Sequence, residues 1–230
     1  GLATTFHPFS CRGYSRRHPA MSNSVISMLR ELNAKERFFL VGYALGNPEF
    51  KLGPDFRAAL STKIGQEVPE DAFCAMDYHL DWIHAALVAA AKGADIAHGN
   101  ADQVIKAQQE DVDLLVAFER DGMTHLVLIE AKAATGWTNA QAKSKASRLA
   151  QIFGNDLDEK NGVRPYFVLM SPKESSGVNV TDWPKWTVDA TQRPLWMELK
   201  IPERLRMVSR WNAVSNRADA LGDHWKIVDR

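Results

Sequence analysis

Two dense apolar runs, Leu114 to Phe118 and Leu126 to Ile129, stand on either side of Asp121-Gly122, and no other stretch of the chain restricts the fold as strongly. Asp-Gly is a preferred pair for a two-residue hairpin turn, because both loop positions need positive φ. With these two residues as the loop, Arg120 faces Met123. Counting outward in step then puts Leu115 opposite Leu128 and Asp113 opposite Glu130. Side chains alternate faces along a strand, so Asp111 and Lys132 fall on that same face as the next pair outward. Four charges are thus predicted at the open end of an otherwise apolar hairpin.

Facing carboxylates on neighbouring strands repel, and a cation between Asp113 and Glu130 would relieve that cost. Magnesium suits the position, since it binds a few carboxylate or carbonyl oxygens and completes its octahedron with water and phosphate oxygens. A metal held in this way polarises a phosphate and acidifies a water, and a nearby ammonium can orient that water or stabilise the developing charge. The chemistry implied is phosphodiester hydrolysis. The plainer alternative is a solvated, salt-bridged strand end. It fits less naturally between strands whose apolar runs are of the buried kind.

The rest of the chain frames this hairpin. Ser22 to Leu45 carries Val25, Met28, Leu29, Leu32, Phe39 and Leu40 at roughly helical spacing, stopped by Gly46-Asn47-Pro48. A second helix is predicted from Pro69 to about Lys92, where Phe73, Met76, Leu80, Ile83 and Leu87 form an apolar stripe that Gly93 ends. After the hairpin, Thr138 to Phe153 is predicted helical, and Tyr166 to Met170 is a short strand closed by Ser171-Pro172. A polar stretch, Lys173 to Thr181, leads into a tryptophan-rich tail with a predicted helix over Glu203 to Asn216 and a strand over Trp225 to Val228.

Asp113, sixteen intervening residues, then Glu130-Ala131-Lys132 resembles the PD-(D/E)xK nuclease superfamily, although Val112 stands where many members have proline. The order of elements from about Pro69 to Pro172 is similar to that family's core, but a strand before Asp113 has only Asp95 to Gln108 to draw on. The resemblance implies an α/β, restriction-endonuclease-like fold: a central mixed sheet flanked by helices, here with a tryptophan-rich C-terminal α/β extension. It implies that Asp113 and Glu130 bind Mg2+, for which Mn2+ can substitute, that the Ala131 carbonyl adds a ligand, and that Lys132 is the catalytic lysine. An acidic residue of the first core helix often joins such a site, which makes Asp77 and Asp81 candidates. Some relatives place a glutamine or lysine of the following helix near the centre, so Gln141 or Lys145 could take that part. With Lys143 and Arg148, they make a basic helix without acidic residues that could face DNA. The implied partner is nucleic acid, DNA first; many relatives act as dimers, which leaves a homodimer open. A catalytically inactive nucleic-acid-binding or assembly module of the same fold is the alternative.

ExK triplets are weak alone, since about one is expected by chance in a chain of this length. Glu49-Phe50-Lys51 and Glu198-Leu199-Lys200 share the spacing, but only Glu130 has an upstream hairpin carrying a facing aspartate.

Composition sets the outer bounds. The 230 residues suffice for one sizeable domain, assigned to 21–230 with its core at about 69–172. Residues 1–20 contain no apolar stretch and are taken as a flexible leader, with Met21 a natural start. Basic and acidic residues balance at 28 each, excluding a globally basic nucleic-acid binder and leaving only local patches. One such patch is Arg206, Arg210 and Arg217, which would share a face if the later helix runs on; a solvated face is the blander reading. The two cysteines, Cys11 and Cys74, fit a reducing cytoplasmic setting, and the apolar run Ala85 to Ala91 is too short to span a membrane. His79 and His84 lack zinc-binding spacing. Five of the seven tryptophans, Trp183, Trp186, Trp196, Trp211 and Trp225, lie near the C-terminus and are assigned to core more readily than to base stacking.

Overall fold

The computed structural model describes residues 24–107, 110–133, 137, 139–157, 162–174, 177–202 and 205–229, without the side chains of residues 139–141. The segment read as a leader, Met21 and Cys11 lie outside the described residues. At the centre is a mixed sheet of β1 (Phe73–His79), β2 (Asp111–Arg120), β3 (Met123–Ala131), β4 (Val163–Ser171) and β5 (Leu195–Glu198), in that order. The first three strands are antiparallel neighbours, while β3, β4 and β5 run parallel. Helix α5 (Asn139–Phe153) makes the crossover from β3 to β4 that a parallel pair requires. The expected α/β architecture, a central mixed sheet flanked by helices, is therefore present.

Helices α1 (Val25–Leu32), α2 (Glu36–Ala44), α3 (Pro54–Ile64) and α4 (Leu80–Lys92) complete the body. One face of the sheet packs Leu115, Leu126, Leu128 and Phe167 against Leu29, Phe38, Ile83 and Leu149. The other packs Val116, Val127, Ile129 and Val168 against Leu60 and Ile64. Strands β2 to β4 are thus buried on both sides, which is why they read as unbroken apolar runs instead of alternating ones.

The hairpin forms as the sequence predicts. Asp121 and Gly122 have φ of 52° and 75°, and the pairs Arg120↔Met123 and Leu115↔Leu128 are present. Two successive left-handed residues match the right-handed twist of the flanking strands and hold the register.

Four expectations need correction. The helix read over Pro69 to Lys92 is strand β1 followed by helix α4. Phe73, Cys74 and Ala75 are buried on alternating faces of the sheet, and a doubly buried strand cannot be told from a buried helix by periodicity alone. This strand supplies the partner of β2 that was sought between Asp95 and Gln108. The single helix over Ser22 to Leu45 breaks at Asn33, whose extended backbone ends α1. Helix α3 went unread although Pro54 opens it and left-handed Gly65 closes it, the usual asymmetry of helix ends.

The helix read over Glu203 to Asn216 is instead β6 (Arg206–Asn212), which pairs with β7 (Arg217–Ala218) and β8 (His224–Asp229) in a separate three-stranded sheet. Over residues 205–229 the C-terminal extension is therefore strands only. The i, i+4 spacing of Arg206 and Arg210 satisfies a period of two as well as it does a helical one. Trp183 and Trp186 are buried in the main core and Trp196 packs against it, whereas Trp225 is 67% exposed.

Gly122 has open space where a Cβ would point. Gly122→Ala therefore carries the conformational penalty of a left-handed non-glycine residue without a clash, and is expected to lower unfolding free energy by about 1–2 kcal/mol in urea titration.

Candidate functional site

The ladder of β2 and β3 is recorded from Leu114↔Ile129 toward the turn, and one further step in register brings Asp113 opposite Glu130. Their side chains are near enough that Asp113 adds to the rise that burial causes in the Glu130 pKa. Asp113 Oδ2 also accepts the Ala131 backbone N–H at 2.6 Å. Asp113 is exposed, while the Glu130 side chain is 14% exposed on the α5 side of the sheet. The pair thus has one open member and one sheltered member.

Lys145 of α5 supplies the positive charge at the sheltered member. Its Nζ lies 2.6 Å from Glu130 Oε1, and it also donates to the backbone carbonyl of Asp111. Burial raises the Glu130 pKa to about 7; Lys145 opposes the rise and Asp113 adds to it. Lys132 follows Glu130 by two residues, at the end of β3. Its N–H donates to the Met170 carbonyl at 2.8 Å, and its ammonium lies 5.6 Å from the centre of the Trp137 ring. Asp111, expected beside Lys132, has its carboxylate 3.5 Å from Lys35.

The two further acidic candidates are not one turn apart on a helix. Asp77 lies in β1 with φ of 51° and pairs with Arg37 at 3.0 Å. Asp81, in the first turn of α4, accepts the backbone N–H groups of Lys106 and Ala107 at 3.0 and 2.7 Å and is ion-paired with Arg148. With its lone pairs engaged in this way, Asp81 anchors the loop over 105–107 to α4 and α5 instead of serving as a ligand. Among the described residues no three carboxylate, histidine or cysteine side chains gather as a metal group. The candidate donors that remain side by side are Asp113 and Glu130, the first accepting the Ala131 N–H and the second paired with Lys145. That set fits magnesium, which is commonly held by one or two carboxylates and takes its other oxygens from water and phosphate.

The proposed DNA-facing row on α5 also divides. Arg148 is 3% exposed and turned inward to Asp81 and Glu110, so it cannot face DNA. Lys145 is turned to Glu130. Lys143 is exposed and pairs with Asp182 at 2.6 Å, a surface contact of little energetic weight. The Gln141 side chain lies outside the described residues. The competing ExK triplets carry no such site: Glu49 and Lys51 pair with each other, and Glu198 ends the short strand β5. Cys74 is a buried core residue whose thiol pKa burial pushes up. His79 stacks on Trp82 at 4.2 Å, and desolvation lowers the pKa of both His79 and His84.

Lys35, Arg37 and Trp137 were missed as neighbours of the site. Their contacts join distant parts of the chain, and nothing in the local sequence around them marks the pairing. A cavity of about 510 Å3 lies elsewhere, lined by Ser24, His84, Lys92, Glu119 and Phe153 among others, and includes none of the site residues. The chain matches no protein-family model, no curated protein and no solved structure in comparison with each.

Two outcomes follow from these contacts. A carboxyl whose pKa is higher folded than unfolded holds its proton more tightly in the folded chain, so it stabilises at low pH and loses that contribution as pH rises. Between about 4.5 and about 7, Glu130 makes wild type less stable with rising pH, and Glu130→Gln should flatten that slope in urea titrations across the window. Arg148→Ala leaves Asp81 buried without its cation and should cost about 3–5 kcal/mol, read by the same titration at pH 7.

Proposed function

We propose that the protein is a magnesium-dependent nuclease that hydrolyses phosphodiester bonds, with DNA as its substrate. The observation that supports this reading best is the meeting of Asp113 and Glu130 across one hairpin, with Lys145 against the second and Lys132 two residues further on, just past the end of the strand. This is the arrangement that the PD-(D/E)xK resemblance implies. The strand order, with an antiparallel hairpin followed by a parallel crossover through a helix, is compatible with a restriction-endonuclease-like core.

Asp113 and Glu130 would hold the metal, with the Ala131 carbonyl as an added ligand. Magnesium, which manganese can replace, supplies Lewis-acid polarisation of the phosphate and a more acidic water. The exposed Asp113 leaves that side open to a polymer backbone, whereas the sheltered Glu130 faces the helix. Lys132 orients the attacking water and offsets charge that builds on the phosphate, which is where preorganised cations contribute most. Lys145 opposes the effect of burial on Glu130 and so favours its ionised form.

A second reading has its own support. The Lys145 ammonium already neutralises Glu130 at 2.6 Å, which is compatible with a domain that binds nucleic acid without cutting it. No helix among the described residues is long and apolar enough to cross a membrane.

The test is incubation of the purified chain with supercoiled, linear and single-stranded DNA and with RNA, in magnesium, manganese or chelator. Asp113→Asn is informative because it keeps an acceptor for the Ala131 N–H while removing the charge. Cleavage that needs metal and falls by about 100-fold or more in Asp113→Asn, Glu130→Gln and Lys132→Ala is expected. Manganese at pH 8 should raise the Tm of wild type and leave that of Glu130→Gln unchanged. Nucleic-acid binding without cleavage in either metal would favour the second reading. Equal losses of cleavage in Glu49→Gln and Glu198→Gln would overturn the placement of the site at Glu130.

A further inference from the structure

The two lysines around Glu130 are held in different ways. Lys145 is committed to oxygens, Glu130 Oε1 at 2.6 Å and the Asp111 carbonyl. Lys132 pairs with no carboxylate among the described residues, and its ammonium instead faces the Trp137 ring, 5.6 Å from the ring centre. A cation within about 6 Å of an indole centre is attracted by the negative face of the ring. Lys132 stands past the end of β3, so strand alternation does not fix where its side chain goes. The contact with Trp137 does. That ring packs on the core cluster of the α5 side of the sheet and shares the lining of a small void with Leu169, Val178 and Trp196. Leu169 is the register partner of Glu130 on β4, and Trp196 is that of Leu169 on β5. Residues in register on neighbouring strands share a face. The ring therefore lies by β4 and β5, on the side of the sheet that carries Glu130. The Lys132 backbone N–H, bonded to the Met170 carbonyl at 2.8 Å, fixes the base of the same side chain.

We propose that Trp137 is the positioning residue for Lys132: its ring holds the ammonium on the Glu130 side of the sheet without tying it to an anion. A carboxylate in that place would have to be displaced before the lysine could meet a phosphate. A π face attracts the charge and adds no anion to compete. The indole N–H of Trp137 is buried and has no hydrogen-bond partner among the described residues. A buried donor without an acceptor is unfavourable, and phenylalanine in its place would carry no such penalty. What tryptophan adds over another apolar residue is its ring face, which attracts a cation more strongly than that of tyrosine or phenylalanine. The carboxylate that shares the void, Glu174, meets Arg193 at 3.8 Å. The inference rests on the nuclease reading, in which Lys132 orients the attacking water; the contact itself does not require that reading.

The test takes two measurements on the full chain. In the first, 13C-labelled lysine is followed by NMR in chelator, so that nothing is cut. The ring current of Trp137 should displace one lysine Cε–H signal upfield, and Lys132→Ala should remove that signal. The displacement should vanish in Trp137→Leu and persist in Trp137→Phe, and the signal should move when a short DNA duplex is added. In the second, cutting of supercoiled DNA is measured in magnesium. Trp137→Leu should lower kcat by about tenfold with KM little changed, and Trp137→Phe should keep most of the rate. In a Lys132→Ala background, Trp137→Leu should have no further effect, because a residue that acts only through Lys132 has nothing left to position. Trp137→Met replaces Trp137→Leu if the latter lowers the Tm. An undisplaced Lys132 signal in wild type overturns the inference whether or not the protein cuts. Wild-type rates in Trp137→Leu overturn it too, as do equal losses in Trp137→Leu and Trp137→Phe. A further loss in the double variant assigns Trp137 a structural role and has the same result. A wild type that never cuts, with a Lys132 signal displaced by Trp137 and moved by DNA, sinks the nuclease reading alone. The same protein with a signal that DNA leaves in place sinks both.

Discussion

The register of a single hairpin governs the site. Left-handed Asp121 and Gly122 lock the pairing of β2 and β3, and that pairing decides that Asp113 and Glu130 meet eight residues away from the turn on each strand. A slip of one residue would turn one acid to the opposite face and move the apolar side chains of a strand buried on both sides. Packing and chemistry therefore depend on the same register. Burial does most to raise the pKa of Glu130, the neighbouring Asp113 adds to the rise, and the Lys145 ammonium offsets part of it.

Helix α5 joins the sheet through two cations as well as through its apolar face. Ala142, Ala146 and Leu149 pack in the core, while Lys145 and Arg148, three residues apart and so on neighbouring positions of one face, each reach an acid of the body. The two pairs have different settings. Arg148 and Asp81 are enclosed and tie down a loop through two backbone N–H groups, so their contribution is structural. Lys145 and Glu130 adjoin the exposed Asp113, where a ligand can reach them. A basic helix in the sequence thus resolves into one buried strut, one site residue and one exposed lysine.

Legibility in the sequence followed the range of the interactions involved. The hairpin, its register and the carboxylate pair could be read because turn chemistry and alternation are local. The crossover helix and β4 were legible for the same reason. Strand β1 was not, since Phe73-Cys74-Ala75-Met76 has apolar side chains on both faces and carries no strand period. The tail misled because four-residue spacing of Arg206 and Arg210 fits two periods, and only the pairing with β8 decides between them. Lys145 was named with Gln141 through the family resemblance as a residue that could approach the centre, but nothing local showed that Arg148 turns inward to Asp81. Asp77 and Asp81 looked equivalent until β1 separated them into different elements.

The two-residue loop also orders events in time. Its strands can meet as soon as both are made, whereas β4 joins β3 only after a crossover that includes the whole of α5. Closing a short loop takes less entropy and less time than closing a long one. In a chain emerging from synthesis, the two acids are therefore brought together before the lysine that neutralises one of them exists as part of a docked helix. During that interval the repulsion between them is borne by water and dissolved cations, and arrival of the helix replaces a diffuse ionic cloud with one fixed charge.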